Sequence, residues 1–375
     1  MRAKETFVSL RLRQDEWEKY REQELKSARP LIEALGFVLD PKQPQIGGER
    51  YLMSGHKLVL LGRRRFDGKR VVIKVSSNPE GIREIEKERT AQEVLHALNF
   101  AVRTFFSPEE LLFTARDGYT LRATAFIEQD KPFLTRPLEE QFFLALRAFE
   151  TQEGVYATTY AHAHTIQNVF GMVSVQDYLE AFEEFRKSSL ESDPHNKELA
   201  TVMNRALEFL RQHRTVIERY CGFLTHHDLS LHNLRVVHHD IYLLDHTSIY
   251  FGNKYEGWAR FINFMTQYNP ALEKMLVQYV RENRGEKEYL DLRLMRVFKL
   301  GLLLQFHTNA LTKTSGKLAD ITRLRIGFWT TVMSAILDDK ELPEKNVAAF
   351  RDAQEALRTE EEKSRNREAL KDAKH

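Results

Sequence analysis

Hydrophobic residues near the start of the chain change from a helical spacing to a strand-like spacing. Between Gln14 and Leu39, apolar residues recur at helical spacing with charged residues between them. This pattern predicts an amphipathic helix that is interrupted at Pro30. After the turn-rich segment 40–50, the pattern becomes typical of strands. Three short strands are expected, the first ending near Ser54 and the others over Leu58–Leu61 and Val71–Val75.

Further along the chain, the pattern becomes mostly helical. A helix is expected over 80–98, followed by two strands around Leu111–Thr114 and Leu121–Ile127. From Pro137 onward, a β-hairpin over Asn233–Asp245 interrupts a helical pattern, which then continues to roughly residue 365. The helices before this hairpin are expected at about 138–150, 155–166, 175–190 and 196–220.

These elements divide the chain into a small β-rich part and a larger helical part. We expect an N-terminal helical extension at 1–40, a lobe of five strands and one helix at 41–130, a helical lobe at 131–342, and a charged C-terminal helix or tail at 343–375. The expected fold class is therefore α+β, with a small five-stranded antiparallel β lobe and a large, mostly helical lobe.

Composition narrows the class of protein. Of the 375 residues, 42% are hydrophobic and 11% aromatic, which is enough for a large core and argues against disorder. A formal net charge of only +2 gives no global field for nucleic acid or an anionic membrane. The single cysteine, Cys221, excludes an internal disulfide and suits a reducing compartment. The longest stretch without formal charge, Val155–Gln176, is too polar to cross a membrane. We expect a cytoplasmic protein.

The sharpest chemical signal is the segment FLTHHDLSLHN, which contains His226-x-Asp228-x-x-x-x-Asn233. Phosphoryl transfer needs a carboxylate beside the attacking hydroxyl group, and a nearby oxygen ligand that helps to hold Mg²⁺. The kinase catalytic loop has this pattern. The hairpin that follows ends at Asp245, whose carboxylate is expected to face Asp228 across a metal site.

A lysine in the β-rich part fits the same chemistry. Lys74 ends the apolar run Val71-Val72-Ile73-Lys74, which differs at one position from the strand that carries the phosphate-binding lysine of protein kinases. The helix after it offers Glu84, Glu86, Glu88 and Glu93 as ion-pair partners. We prefer Glu88, because it lies seven residues before the apolar Leu95 on roughly the same helix face, while Glu84 stays possible.

Together, Lys74, a glutamate-bearing helix, the His226–Asn233 motif and Asp245 resemble the protein-kinase-like superfamily, and more closely its aminoglycoside/choline phosphotransferase branch. The resemblance implies a bilobal fold with ATP bound between the lobes and Mg²⁺ at Asn233 and Asp245. It implies that Asp228 is the catalytic base, that Lys74 contacts the nucleotide phosphates, and that His226 supports the catalytic loop.

The resemblance also implies further nucleotide contacts. They are expected from the loop between the first two strands, which includes Ser54 and Gly55, and from a hinge at Ile127 and Glu128 that contacts adenine through its backbone. Only a short segment separates Asp245 from the next helix, and no Ala-Pro-Glu occurs, which favours a small-molecule hydroxyl acceptor over a protein substrate. Aminoglycosides, choline-like alcohols and sugars all fit.

Two other functions remain open from the sequence. The loop at Gly55 has one glycine where protein kinases have three, and Asp245 is followed by His246 and Thr247, so a nucleotide-binding pseudokinase that acts as an interaction module is an alternative. A zinc or di-metal hydrolase is a weaker alternative. Adjacent strand residues point to opposite faces, so most of the histidine rings cannot converge on one ion. Its ligands would come from His226, His227, His232, His238, His239 and His246.

Four acidic residues could receive a cationic acceptor of the phosphotransferase. On exposed helix faces such residues are more often only solvated. They are Glu256, Glu286, Glu288 and Asp291.

Overall fold

A computed structural model describes residues 11–41, 43, 52–54, 56–97, 106–159 and 168–358. Within these residues, the buried apolar side chains form two separate clusters. One cluster lies in a small lobe built around a sheet, and the other lies in a large helical lobe. The two-lobed α+β fold expected from the sequence is therefore confirmed.

The small lobe contains a five-stranded antiparallel sheet with the strand order β2-β4-β5-β7-β6. Strands β1 and β3 pair with each other in a separate two-stranded sheet. The strands of this lobe are β1 (Arg11–Arg13), β2 (Phe37–Leu39), β3 (Leu52–Ser54), β4 (Leu58–Arg64), β5 (Arg70–Ser76), β6 (Glu110–Arg116) and β7 (Tyr119–Ala125).

The predicted number of five strands in the main sheet is correct, but one member differs. The strand that ends at Ser54 was expected in this sheet, and β2 takes its place at the edge beside β4. Phe37 and Leu39 are buried while the residue between them is exposed, so β2 presents an apolar face to the core. Its three residues lie inside a segment whose helical spacing concealed the strand pattern.

Helix α1 (Gln14–Ala34) packs on one face of this sheet. Its buried residues Ala28 and Ile32 join the small-lobe cluster, so the segment expected to be an extension packs against this lobe. The helix continues through Pro30, where the sequence predicted an interruption. Burial of Ala28, Leu31 and Ile32 offsets the hydrogen bond that the proline cannot donate.

Helix α2 (Pro79–Ala97) lies between the two lobes. Its middle residue Glu88 points toward the sheet, whereas Ala91 belongs to the core cluster of the large lobe. Val94 and Leu95 of this helix also pack against the large lobe. The helix therefore connects the sheet to the other half of the molecule.

The large lobe consists of helices around two short β-ribbons. In one ribbon β8 pairs with β11, and in the other β9 pairs with β10, both antiparallel. The strands are β8 (Phe223–His226), β9 (Leu234–Val237), β10 (Asp240–Leu243) and β11 (Ile249–Gly252). The helices are α3 (Leu138–Thr159), α4 (Val175–Ser192), α5 (Lys197–Gln212), α6 (Arg214–Arg219), α7 (Glu256–Tyr268), α8 (Pro270–Asn283), α9 (Glu286–Leu311), α10 (Gly316–Leu337) and α11 (Glu344–Leu357).

Two of the predicted helix boundaries differ from those observed. The helices expected at about 138–150 and 155–166 are one helix, α3, as far as residue 159. The single helix expected over 196–220 is divided at His213 into α5 and α6. Among the described residues, no helix has the length and apolar character needed to cross a membrane.

Candidate active site between the lobes

Lys74 and Glu88 form a close ion pair on the face of the sheet that is turned toward α2. Along β5, Val71, Ile73 and Val75 are buried on the opposite face, so the alternation of the strand directs Lys74 toward the helix. Its Nζ lies 2.5 Å from both carboxylate oxygens of Glu88. Burial alone would raise the pKa of Glu88, but Lys74 and neighbouring Lys57 outweigh this effect and lower it.

Lys57 is a second cation at this position, and the sequence analysis did not identify it. Its Nζ lies 3.3 Å from Glu84, the residue that remained possible as a partner of Lys74. Burial alone would lower the pKa of Lys57, but the carboxylates of Asp245, Glu88 and Glu84 raise it. Lys57 is therefore charged and faces the large lobe. A lysine just before a strand carries no distinctive sequence signal.

The loop that carries Lys57 is fixed by hydrogen bonds to one carbonyl. The hydroxyl groups of Tyr20 and Ser76 both donate to the carbonyl oxygen of His56, each at 2.6 Å. The imidazole Nδ1 of His56 lies 3.0 Å from Glu80 at the start of α2. These contacts fix the backbone next to Lys57.

Asp245 stands at the end of β10, where the chain leaves the strand through a left-handed conformation. Its φ of 56° is one that Asp adopts more readily than most residues. The carboxylate accepts hydrogen bonds from the hydroxyl groups of Thr247, at 2.5 Å, and Ser248, at 3.4 Å. Burial would raise the pKa of Asp245, but Lys57 and Lys74 hold it well below its usual range. The carboxylate is therefore ionised, and the charges of both lysines stabilise this form.

His226 connects the loop 226–233 to the Asp245 segment. Its Nε2 donates to the carbonyl oxygens of Leu244, at 3.0 Å, and Asp245, at 3.1 Å. The imidazole is almost completely buried, and the backbone N–H of His226 donates to Gln152. A buried histidine with these partners holds two chain segments together, and its part in catalysis stays a prediction.

Asp228 and Asn233, which lie in the loop 226–233, contact each other. Asn233 Nδ2 donates to the carbonyl oxygen of Asp228 at 2.9 Å and to its carboxylate Oδ2 at 3.1 Å. This orientation leaves the amide oxygen Oδ1 of Asn233 without a described partner. The carbonyl of Asn233 accepts from the N–H of Leu244, so Asn233 lies beside the residue that precedes Asp245.

Arg260 is the second site residue that the sequence analysis missed. It lies on α7, and its Nε donates to Asp228 Oδ1 at 2.7 Å. Burial alone would raise the pKa of Asp228, but this ion pair outweighs the effect and lowers the pKa. The helix reaches the loop because Gly257 packs against the carbonyl of His226, where an added Cβ would lie 3.0 Å from the oxygen.

The remaining predicted nucleotide contacts fall on two segments. Ile127 and Glu128 follow β7 in the link to the large lobe, and the side chain of Glu128 binds Arg70 at 2.9 Å. The backbone groups of Ile127 and Glu128 form no hydrogen bond with another described residue. Ser54 ends β3, and Gly55 lies outside the described residues.

The histidines that suggested a zinc site have separate surroundings. His227 stacks on Tyr250 with ring centroids 5.0 Å apart, and His246 Nε2 lies 2.9 Å from Ser107 Oγ. Burial lowers the pKa of His227 to about 4 and that of His246 to about 3, so both are neutral. In the described parts of the chain, no three histidine, cysteine or acidic side chains converge to hold a metal ion. The structure gives the zinc alternative no support.

Three of the four acidic residues considered for a cationic acceptor are buried or already paired. Glu256 is fully buried and accepts hydrogen bonds from two tyrosine hydroxyl groups and a lysine. Asp291 is also fully buried. Glu288 pairs with Lys254 at 2.7 Å, and Glu286 is exposed at the start of α9. Two of the four, expected on exposed helix faces, are therefore core residues.

Comparison with solved structures finds aminoglycoside phosphotransferases. A thermostable mutant of APH(4)-Ia in its apo form has a TM-score of 0.53 and 16% sequence identity, with 83% of this chain and 98% of the other covered. APH(2'')-Ib with ADP bound gives 0.54 and 11%, covering 83% and 98%. The GDP complex of aminoglycoside 2'-phosphotransferase-IIIa gives 0.52 and 13%, covering 87% and 99%.

A ternary complex of thermostable APH(4)-Ia with ADP and hygromycin B also matches, with a TM-score of 0.52, 16% identity, and coverage of 84% and 99%. No protein-family model matches the sequence, and a search of curated proteins finds no significant match. At these identities the likeness establishes the fold. The chain therefore has the bilobal, protein-kinase-like fold of the aminoglycoside phosphotransferases.

Proposed function

We propose that this protein is an ATP- and Mg²⁺-dependent phosphotransferase that transfers the γ-phosphate to a hydroxyl group of a small polar molecule. One observation carries the proposal: the Lys74–Glu88 pair of the small lobe faces the ionised Asp245 of the large lobe, and Asp228 and Asn233 lie on the adjoining loop. The structural neighbours support it, because several of them are complexes with ADP, AMP-PNP or GDP.

Nucleotide binding between the lobes has support from several residues. Lys74, held by Glu88, and Lys57 supply two cations for the phosphates. Ile127 and Glu128 supply backbone groups that have no described partner and that are suited to hydrogen bonds with a base. Ser54, which ends β3 three residues before Lys57, is expected to add a backbone contact. These residues bind and orient the nucleotide.

The donor set fits magnesium. Mg²⁺ prefers oxygen ligands and is commonly bound by one or two protein groups together with phosphate oxygens and water. Asp245 offers an ionised carboxylate, and Asn233 offers an amide oxygen without a described partner. These two residues would hold the ion. When bound, it would neutralise negative charge on the phosphate oxygens.

The transfer step follows from the position of Asp228. The acceptor hydroxyl oxygen forms a bond to the γ-phosphorus, while the bond between this phosphorus and the oxygen bridging to the β-phosphate breaks. ADP leaves with the electron pair of the broken bond, and the hydroxyl proton passes to Asp228. The ionised state of Asp228 and the hydrogen bond from Asn233 prepare the carboxylate for this role.

Purified protein with Mg-ATP is expected to hydrolyse ATP slowly and to phosphorylate a hydroxyl acceptor. In the Asp228→Asn variant, both rates should fall by about a hundredfold or more, because general-base catalysis typically contributes 10²–10⁴-fold. Release of ADP and transfer of ³²P to pooled alcohols, sugars and aminoglycosides measure the two rates. Asp240→Asn, at the exposed start of β10, is the matched control.

The alternative function predicts a different result. A pseudokinase that serves as an interaction module would be stabilised by ATP but would neither hydrolyse it nor phosphorylate any acceptor. Equal rates for wild-type protein and Asp228→Asn would also contradict the proposed role of this residue. Absence of nucleotide binding would remove the basis of both functions.

A further inference from the structure

A positive charge lies beside the carboxylate of Asp228, where the acceptor hydroxyl group is proposed to bind. Arg260 is the ion-pair partner of Asp228 at 2.7 Å, and no other described acid pairs with either residue. The carboxylate keeps 39% of its side chain exposed and Arg260 keeps 30%, so a ligand can reach both. A molecule whose hydroxyl group approaches Asp228 must therefore lie beside a guanidinium group.

The guanidinium of Arg260 has N–H donors that no described residue uses. Only Nε is used in the contact with Asp228, and neither Nη1 nor Nη2 forms a hydrogen bond with a described residue. A guanidinium carries five N–H donors in a rigid plane that matches the two oxygens of a carboxylate or phosphate. Because Asp228 fixes Nε, the remaining edge is held in position next to the base.

Aromatic side chains continue this surface along α7. Phe264 and Tyr268 follow Arg260 at intervals of four residues, which places all three on one helix face. Phe264 stacks on Tyr268 with centroids 4.2 Å apart, and the exposed ring of His232 contacts Phe264 edge-on at 5.8 Å. This aromatic surface suits the apolar face of an organic acceptor.

Among the described residues, none of the four acids considered for a cationic acceptor forms an ion pair with Arg260. Glu256 and Asp291 are buried in the core, and Glu288 is paired with Lys254. Asp228 itself is already neutralised by Arg260. An aminoglycoside would bring several ammonium groups toward a guanidinium, which costs free energy in a partly buried site.

We propose that the acceptor is an anionic hydroxyl compound, a hydroxy acid or a phosphorylated polyol or sugar, whose anionic group binds the free edge of Arg260 while its hydroxyl group faces Asp228. The inference rests on the proposed phosphotransferase function and assigns its substrate class. Arg260 is thus a specificity-determining residue that also orients the base.

Three acceptors with the same carbon skeleton test this assignment. Glycerol is neutral, glycerate adds a carboxylate, and glycerol 3-phosphate adds a phosphate, so the panel separates the two sources of negative charge. Kanamycin and hygromycin B serve as polycations. With Mg-ATP, at least one of the anions is expected to have a kcat/KM at least tenfold above that of glycerol and of both aminoglycosides.

Variants of Arg260 show whether the preference depends on this residue. Arg260→Gln is expected to lower the ratio of kcat/KM between the preferred anion and glycerol at least tenfold. Arg260→Lys, which keeps the charge without the planar donor pair, should give an intermediate ratio. Arg323→Gln, which removes an arginine from an exposed ion pair on α10, is the matched control. The ratio is informative even if the variants lower the rate for every acceptor.

Binding provides a second measurement. In the presence of Mg-ADP, glycerate or glycerol 3-phosphate should raise the melting temperature of the wild-type protein more than glycerol does, and Arg260→Gln should abolish the difference. Equal turnover of neutral or polycationic acceptors, an unchanged ratio in Arg260→Gln, or no stabilisation by either anion overturns the inference. If ATP hydrolysis persists and depends on Asp228 in that case, the proposed function stands. If the wild-type protein neither binds nor hydrolyses ATP, both the inference and the proposed function are overturned.

Discussion

At the scale of single residues, the candidate site contains buried or partly buried carboxylates that are ionised because cations lie beside them. Lys57 and Lys74 approach Asp245 and Glu88 from the small lobe, and Arg260 approaches Asp228 from α7. Each carboxylate has a pKa below its ordinary value, although burial acts in the opposite direction. The neighbouring cations therefore keep these carboxylates ionised for the binding of a nucleotide and an acceptor.

Lys57 should matter for ATP binding. We expect Lys57→Met to raise the KM for ATP about tenfold, because one hydrogen bond to a charged group contributes about 1.5–3 kcal/mol. Initial rates of ADP release at varied ATP concentration measure this change. Lys69→Met, in the exposed turn before β5, is the control. If the two variants have the same KM, Lys57 does not contact the phosphates.

His227 should make the folded protein sensitive to acid. Burial and the nearby charge of Lys299 lower the pKa of His227 to about 4, whereas the unfolded chain has the ordinary value of about 6.5. Below pH 6.5 the unfolded state therefore binds a proton that the folded state does not bind. From this residue alone, the free energy of unfolding should fall by up to about 1.4 kcal/mol per pH unit between pH 6 and 4.

Urea unfolding at pH 7, 6 and 5 measures this dependence. His227→Phe retains the stacking on Tyr250 and removes the titrating group, so its free energy of unfolding should change less with pH. His195→Gln, in an exposed turn, is expected to keep the wild-type dependence. Parallel pH curves for wild-type protein and His227→Phe would contradict the assignment.

At the scale of secondary-structure elements, α2 and the loop before β4 form one unit. The start of α2 lies so close to this loop that a Cβ at Gly81 would be 2.5 Å from the carbonyl oxygen of His56. That carbonyl is the one held by Tyr20 and Ser76. The same helix carries Glu88, so the positions of Lys57 and Lys74 depend on the same packing.

Gly81→Ala should therefore disturb both stability and nucleotide binding. We expect the free energy of unfolding to fall by about 1–3 kcal/mol, which is typical of overpacking. The loop must also shift, so the Kd for Mg-ATP should rise. Denaturant unfolding and nucleotide titration measure the two effects.

Gly327→Ala is the matched control, because nothing lies within 4 Å of its added Cβ on α10. It should stabilise the protein by about 0.5–1 kcal/mol, since alanine is the better helix former. Equal stability and equal ATP affinity for Gly81→Ala and wild-type protein would show that the close approach is not needed.

At the scale of the whole molecule, two separately packed lobes meet at the segment that links them and at α2. The link between them is held at Gln129, whose side chain accepts from the N–H of Val236, and at Asp130, which accepts from the N–H of His238. On the other side, α2 packs against the large lobe. A ligand that binds both lobes should stabilise their joint arrangement.

Mg-ADP should therefore stabilise the protein more than ADP alone. At a concentration of 100 times its Kd, a ligand adds about 2.7 kcal/mol to the free energy of unfolding. Chelation of Mg²⁺ with EDTA should remove the magnesium-dependent part of this gain. Thermal unfolding with and without EDTA measures it.

Asp245→Asn should lose the magnesium-dependent part of the gain while it still binds ADP. Asparagine tolerates the left-handed backbone at this position, so the change removes charge without adding strain. Asp117→Asn, in an exposed turn with a φ of 54°, controls for the backbone. Magnesium-dependent stabilisation that persists in Asp245→Asn would place the metal elsewhere.

The sequence by itself determined the two-lobed fold and the positions of Lys74, Glu88, Asp228, Asn233 and Asp245 as site candidates. These residues stand at fixed places on strongly patterned elements: a lysine in an apolar strand, a glutamate on an amphipathic helix, and polar groups before and after a hairpin. Such places follow from local periodicity and short-range turns, which the order of residues contains directly.

Only the tertiary structure decided which distant residues complete the site. Lys57 and Arg260 reach Asp245 and Asp228 because β4, α2 and α7 pack as they do, and neither residue has a distinctive local pattern. The same packing buried Glu256, which was expected from the sequence on an exposed helix face. Contacts between residues far apart in the chain depend on the burial of whole faces, so the surroundings of each charge become defined only when the elements assemble.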